Sequence, residues 1–174
     1  MSISLPKILF FVKTWVFENF FIECLSKMIK LPYLPENHEI FYVAPKNKYM
    51  LMAKEVAKNL SMDKAHPTGA VIVKRNKILG KGANGSLYHD KYGCERKKQK
   101  IPTGQSYELC PGCSPKNHAE QKAIKNMMDN NKYKEGADLY LWGHWWCCKS
   151  CWDAMIEAKI NKVFLEDLAW ENFR

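Results

Sequence analysis

The chain lacks an uninterrupted apolar run long enough to span a bilayer. Its most apolar stretch, Leu9-Phe10-Phe11-Val12, Trp15-Val16-Phe17 and Phe20-Phe21-Ile22, is broken by Lys7, Lys13, Glu18 and Glu23, whereas a spanning helix needs about 20 predominantly apolar residues. Acidic residues inside the stretch and the absence of a small-residue cleavage site argue against a cleaved signal peptide. The expectation is an apolar helical extension over residues 1–32 that packs on the domain or on another subunit, with contact to a membrane surface as the alternative. Internal repeats and low-complexity tracts are also missing, which excludes a repeat array and a disordered linker. Acidic residues are scarce, 18 Asp plus Glu against 27 Lys plus Arg. That balance suits a phosphate-bearing substrate or a nucleic-acid surface, does not choose between them, and is equally met by a lysine-rich solvated face. An even cysteine count is lacking too: seven cysteines, several at metal spacing, fit a reducing cytoplasm rather than a secreted disulfide framework. At 174 residues, 47% hydrophobic and 13% aromatic, the chain can build one core.

What is present is chemically dense. His118-Ala119-Glu120 and the downstream Cys148-Lys149-Ser150-Cys151 supply three zinc ligands and one carboxylate that need not be a ligand. A catalytic zinc keeps three protein ligands and an open position for water, whose pKa falls toward about 7; Glu120 is then free to move protons. Cys148 and Cys151 are spaced to share one face of a first helical turn. His118 precedes a helical period in which Ala119, Ala123 and Met127 form one stripe, with Ile124 and Met128 beside it. Two helix N-termini would converge on the ion, and their partial positive charge favours thiolate and hydroxide.

These motifs resemble the zinc-dependent cytidine and deoxycytidylate deaminases, whose signature is H-x-E followed by P-C-x-x-C. The resemblance implies that His118, Cys148 and Cys151 hold zinc, that Glu120 is the general acid and base, and that Asn84 contacts the substrate's sugar. Ala119 and Arg96 join Asn84 as expected substrate-binding residues. Cys147 stands where the family has proline and adds a competing thiol. The matched pattern runs from about residue 33 to residue 167. Pro67–Val73 and Lys77–Gly80 read as the opening hairpin, turning at Arg75-Asn76, behind a helix carrying Met52, Ala53, Val56, Ala57 and Leu60. Residues 138–143 and 162–166 read as the third and fourth strands, with the helix from Cys151 to Lys159 crossing between them. The implied fold is α/β: a three-layer α-β-α arrangement around a mixed sheet of four or five strands, occupying residues 33–174. Only Leu168 to Arg174 follow the fourth strand, so the N-terminal extension or another subunit is expected to complete the sheet, with Trp170 and Phe173 as packing residues. Family members commonly form oligomers, which implies a homo-oligomer.

A second cluster lies in the long insertion of residues 88–117. Cys110-Pro111-Gly112-Cys113 has the spacing of a zinc knuckle, and His89 and Cys94 stand upstream as completing ligands. An insertion this long exceeds the roughly 12 to 15 residues of an ordinary loop and needs something to hold it. A second, structural zinc is one reading; unliganded thiols on a packed loop are the other. The insertion also carries Glu95-Arg96-Lys97-Lys98, of which Arg96 is the expected phosphate contact because a guanidinium can donate two parallel hydrogen bonds.

Two rival readings remain for the motifs. A thioredoxin-like dithiol would explain a C-x-x-C opening a helix, but has no use for His118 and Glu120. A structural four-cysteine zinc module built from Cys110, Cys113, Cys148 and Cys151 would leave the same two residues idle. The expected function is zinc-dependent hydrolytic deamination of a free cytosine nucleotide, deoxycytidine monophosphate (dCMP) first, with free cytidine or an adenosine in transfer RNA as alternatives.

Overall fold

The computed structural model describes residues 30–174, so the extension expected over 1–32 lies almost wholly outside the described residues. In chain order the elements are β1 (Ile40–Val43), α1 (Lys48–Leu60), β2 (Gly69–Lys74), β3 (Lys77–Ala83), α2 (Leu87–Tyr92), α3 (Glu95–Lys98), three short 3-10 turns (Tyr107–Leu109, Pro111–Cys113, Pro115–Asn117), α4 (Ala119–Asp129), β4 (Asp138–Trp142), α5 (Lys149–Glu157), β5 (Lys162–Glu166) and α6 (Ala169–Phe173). The strands form one mixed sheet in the order β1-β5-β4-β2-β3. β5 is parallel to both β1 and β4, while β2 is antiparallel to β4 and β3.

The hairpin turns where the sequence places it. Arg75 and Asn76 both have positive φ, 47° and 63°, as a two-residue turn matched to the right-handed strand twist requires. β2 lies inside the sheet, between β4 and β3, with its first five residues buried. Alternate residues of this hairpin serve opposite helical layers. On one face, Val71, Val73 and Ala83 join Tyr140 and the buried side of α1, formed by Tyr49, Met50, Ala53 and Val56. Met52 and Leu60, expected in that stripe, are 37% and 58% exposed. The true stripe starts at Tyr49, where Asn47 caps α1 by accepting from the Tyr49 and Met50 amides at 2.9 and 3.3 Å.

On the other face lies α4, with Ala119, Glu120, Ala123 and Met127 buried. Gly82 of β3 makes this approach possible, since a Cβ there would stand 2.3 Å from the Ala119 carbonyl oxygen and 2.3 Å from the Ala123 nitrogen. The helix that begins at the H-x-E motif therefore rests directly on strand backbone. α5 provides the crossover from β4 to parallel β5 and buries Cys151, Trp152 and Met155.

The expected contribution of the N-terminal extension lies outside the described residues, and the fifth strand comes from residues ahead of α1. It is β1, in register with β5 from Ile40 opposite Val163 to Val43 opposite Glu166. The C-terminal residues form the short α6, whose Trp170 meets Trp145 edge-on at 4.5 Å and whose Phe173 meets Trp142 at 5.2 Å, as packing residues should. Among the described residues no helix is long and apolar enough to cross a membrane.

Candidate active site and metal centre

His118 and Cys148 occupy the N-cap positions of α4 and α5, each with extended backbone and neither using its side chain as a cap. Both helices thus begin with amides that no side chain satisfies, and both side chains turn to the space between the two starts. Gln121 ties those starts together, its amide donating to the Ser150 carbonyl and hydroxyl at 3.0 Å each. His118 Nδ1 lies 3.6 Å from Cys148 Sγ and 3.4 Å from Cys151 Sγ, and the three donor atoms lie within 4.8 Å of one another. Zinc bonds of about 2.0–2.1 Å to nitrogen and about 2.3 Å to sulfur, at a tetrahedral angle, place N and S about 3.5 Å apart. The donor set fits zinc.

Electrostatics within the cluster point the same way. Cys148 is held down to about 4, chiefly by the Cys151 thiol hydrogen-bonded to it and by the His118 ring, against the cost of burial. Cys151 is pushed up by sharing that proton and by burial. Burial opposes protonation of His118, but the Cys148 sulfur and the Glu120 carboxylate outweigh it and raise the ring above its usual value. Cys147 is not part of the donor group; it is fully buried, and its thiol contacts Glu120.

Glu120 is 5% exposed. Burial raises its carboxyl above the usual range, only partly offset by His118. It lines, with His118 and Cys148, a cavity of about 700 Å³. Asn84 and Ala119 line that cavity as well, but Asn84 is heavily engaged. Its Oδ1 accepts from Ser61 Oγ at 2.6 Å and from the Thr68 amide at 2.8 Å, and its Nδ2 donates to the His66 carbonyl at 2.9 Å. One Nδ2 hydrogen is left for a ligand.

Arg96, the expected phosphate contact, lines the same cavity, but much of its guanidinium is already engaged. It is 7% exposed, donates Nε to the Gln105 carbonyl at 2.7 Å and Nη2 to the Pro102 carbonyl at 2.6 Å, and lies 4.4 Å over the Tyr107 ring. The guanidinium edge that would grip phosphate holds the insertion's own backbone. Lys97, exposed on α3, and Arg174 also border the cavity.

His144, just ahead of the thiolate loop, also lines the cavity. Burial first, then the charge of His118, lowers its pKa to about 4. The Trp146 amide meets its Nδ1 at 3.3 Å, which leaves the proton of the neutral ring on Nε2. Tyr107, from the insertion, stands edge-on to the His118 ring at 5.0 Å.

The second cluster also closes. His89, Cys94, Cys110 and Cys113 bring four donor atoms within 4.8 Å of one another. All six cysteines among the described residues are free thiols.

The family model described as the cytidine and deoxycytidylate deaminase zinc-binding region matches residues 44–166. No match was found among curated proteins. Among solved structures, dCMP deaminase from the cyanophage S-TIM5 is 24% identical with a TM-score of 0.45, covering 72% of this chain and 86% of that one. Guanine deaminase from Bacillus subtilis is 23% identical with a TM-score of 0.41, covering 72% and 68%. The diaminohydroxyphosphoribosylaminopyrimidine deaminase/reductase of Thermotoga maritima is 23% identical with a TM-score of 0.40, covering 72% and 32%. Because the family model spans well over half of the sequence and contains both zinc motifs, this chain belongs to the zinc-dependent cytidine and deoxycytidylate deaminase family.

Proposed function

We propose that this protein hydrolytically deaminates a free cytosine nucleotide, dCMP in the first instance, giving the uracil nucleotide and ammonia. The observation that carries the reading is the three-donor set of His118, Cys148 and Cys151, of which His118 and Cys148 line the same cavity as the buried carboxyl of Glu120. Zinc held there supplies Lewis acidity that brings a water toward ionisation near neutral pH. Glu120 takes a proton from the attacking water and returns protons to the base, so that water oxygen replaces the amino nitrogen on the ring carbon and ammonia leaves. Burial suits it to this work, since a carboxyl with raised proton affinity holds the proton between the two transfers.

Substrate binding follows from the cavity wall. Neutral His144 offers an Nε2–H donor suited to a ring carbonyl oxygen, and Asn84 keeps one N–H for a sugar hydroxyl. Lys97 and Arg174 supply positive charge for a phosphate. The free thiols fit a reducing, cytoplasmic setting, and a homo-oligomer remains part of the reading.

An ammonia-release screen over dCMP, deoxycytidine, cytidine and an adenosine-containing RNA stem-loop tests this. The phosphorylated nucleotide should exceed deoxycytidine by roughly 10- to 100-fold in kcat/KM, the equivalent of one or two charge-assisted hydrogen bonds. Equal rates on nucleoside and nucleotide would remove the phosphate assignment. Turnover of the stem-loop alone would move the substrate to RNA.

A further inference from the structure

The insertion between β3 and α4 contains a set of contacts that deamination itself does not call for. His89 Nε2 lies 3.3 Å from Cys110 Sγ and 3.5 Å from Cys113 Sγ, and Cys94 Sγ lies 3.4 Å from Cys113 Sγ. These separations are close to the roughly 3.5 to 3.8 Å between ligands of a tetrahedral zinc, and the sulfur pair is far beyond the roughly 2.05 Å of a disulfide bond. Three soft sulfurs and one imidazole, with no open position, make the donor set of a closed structural zinc site rather than of a catalytic one.

The surroundings are built for such an ion. Gly112, inside the Cys110-Pro111-Gly112-Cys113 turn, has no room for a side chain: a Cβ would lie 2.4 Å from His89 Nε2. Its hydrogen is what lets the imidazole reach the turn. The backbone amides of Glu95, Cys113 and Gly112 are turned onto the Cys110 sulfur, and the Arg96 guanidinium meets Cys113. Three thiolates on a divalent ion leave one negative charge, which these donors and Arg96 would balance.

The same residues reach the catalytic ligand. Asn117, immediately before His118, donates Nδ2 to the Pro111 and Gly112 carbonyls at 3.1 Å each. The backbone of Cys113 faces the His118 ring. Arg96, against Cys113, stacks on Tyr107, which stands edge-on to His118. Two routes, one through backbone and one through side chains, therefore run from the four-donor cluster to one imidazole.

We propose that His89, Cys94, Cys110 and Cys113 bind a second zinc ion, and that this closed site is the scaffold that orients His118. The first half stands on the cluster alone, while the second rests on the deaminase reading for the role of His118. Loss of an orienting partner of a metal ligand commonly costs 10- to 100-fold in metal affinity or activity, and that is the effect expected when the insertion loses its ion.

The test is zinc stoichiometry, with turnover measured on the same samples. Folded wild-type protein should hold two zinc ions per chain, Cys94→Ser one, and Glu120→Gln two with kcat lowered by about 10² to 10⁴. The ion remaining in Cys94→Ser should leave to a chelator roughly 10- to 100-fold faster than the more labile ion of the wild type. Should Cys94→Ser fail to fold, thiol alkylation of the wild type decides instead: Cys94, Cys110 and Cys113 should be protected until chelator is added. One zinc per folded wild-type chain, open alkylation of these thiols, or a Cys94–Cys113 disulfide found by mass spectrometry would overturn the second site. An unchanged release rate in Cys94→Ser would overturn the orienting role. Two zinc ions with no ammonia from any substrate would instead sink the deaminase reading and leave the second site standing.

Discussion

The two histidine and cysteine clusters of this molecule use the same side chains for different ends. One takes three donors from the starts of two helices, α4 and α5, that rest on the sheet, and it opens on a cavity beside a buried glutamate. The other takes four donors from a loop insertion and closes on itself. What separates them is the number of donors and what stands next to them: a vacant coordination position and a carboxyl make chemistry, a filled tetrahedron makes a staple. Rigidity is distributed accordingly, with the sheet holding the open site and the closed site holding the chain that covers it.

Substitutions that strike one cluster and spare the other break this comparison into its parts. The largest effect is expected from Glu120→Gln, which should lower kcat by about 10² to 10⁴ while zinc content, read by metal analysis, stays at the wild-type value. Gly82→Ala comes next. It drives a methyl into the backbone of α4 and should cost roughly 1–3 kcal/mol in urea denaturation, with catalytic zinc loosened more than insertion zinc. Gly112→Ala is its mirror image: the methyl displaces His89, so the insertion should lose protection from alkylation with little change in the urea midpoint of the sheet.

Lys97→Ala should reduce the preference for dCMP over deoxycytidine by about tenfold, roughly 1.4 kcal/mol, with activity on the nucleoside unchanged. The smallest effect concerns acid. The folded-state pKa of His144, about 4, lies below the 6.5 of a free imidazole, so its contribution to stability is present above pH 6.5 and is lost as pH falls toward 4. Wild-type protein should therefore lose stability faster than His144→Asn over that window, as read by urea midpoints at each pH.

Much of this was legible because its signals are local. The hairpin follows from two apolar runs around Arg75-Asn76, α4 from a helical period behind His118, and both donor clusters from cysteine spacing within a single turn of chain. What escaped depends on distant partners. β1 is four residues with no alternation to mark it, and it is a strand only because β5 runs alongside. Met52 and Leu60 have the right spacing, yet the face of α1 was set one turn earlier by Tyr49 and Met50. Arg96 sits in a visibly basic run, but no pattern in that run shows that α3 turns this one side chain under Pro102 and Gln105. Asn84 shows the same limit, since its amide is taken by Ser61, Thr68 and His66, three partners from another stretch of the chain.

The most direct test is to titrate zinc into metal-free protein while following ammonia release from dCMP. Turnover should rise in step with filling of the site formed by His118, Cys148 and Cys151, and Glu120→Gln should take up the same zinc with ammonia release lowered by about 10² to 10⁴. Ammonia release that is independent of zinc, or undiminished in Glu120→Gln, would contradict the account.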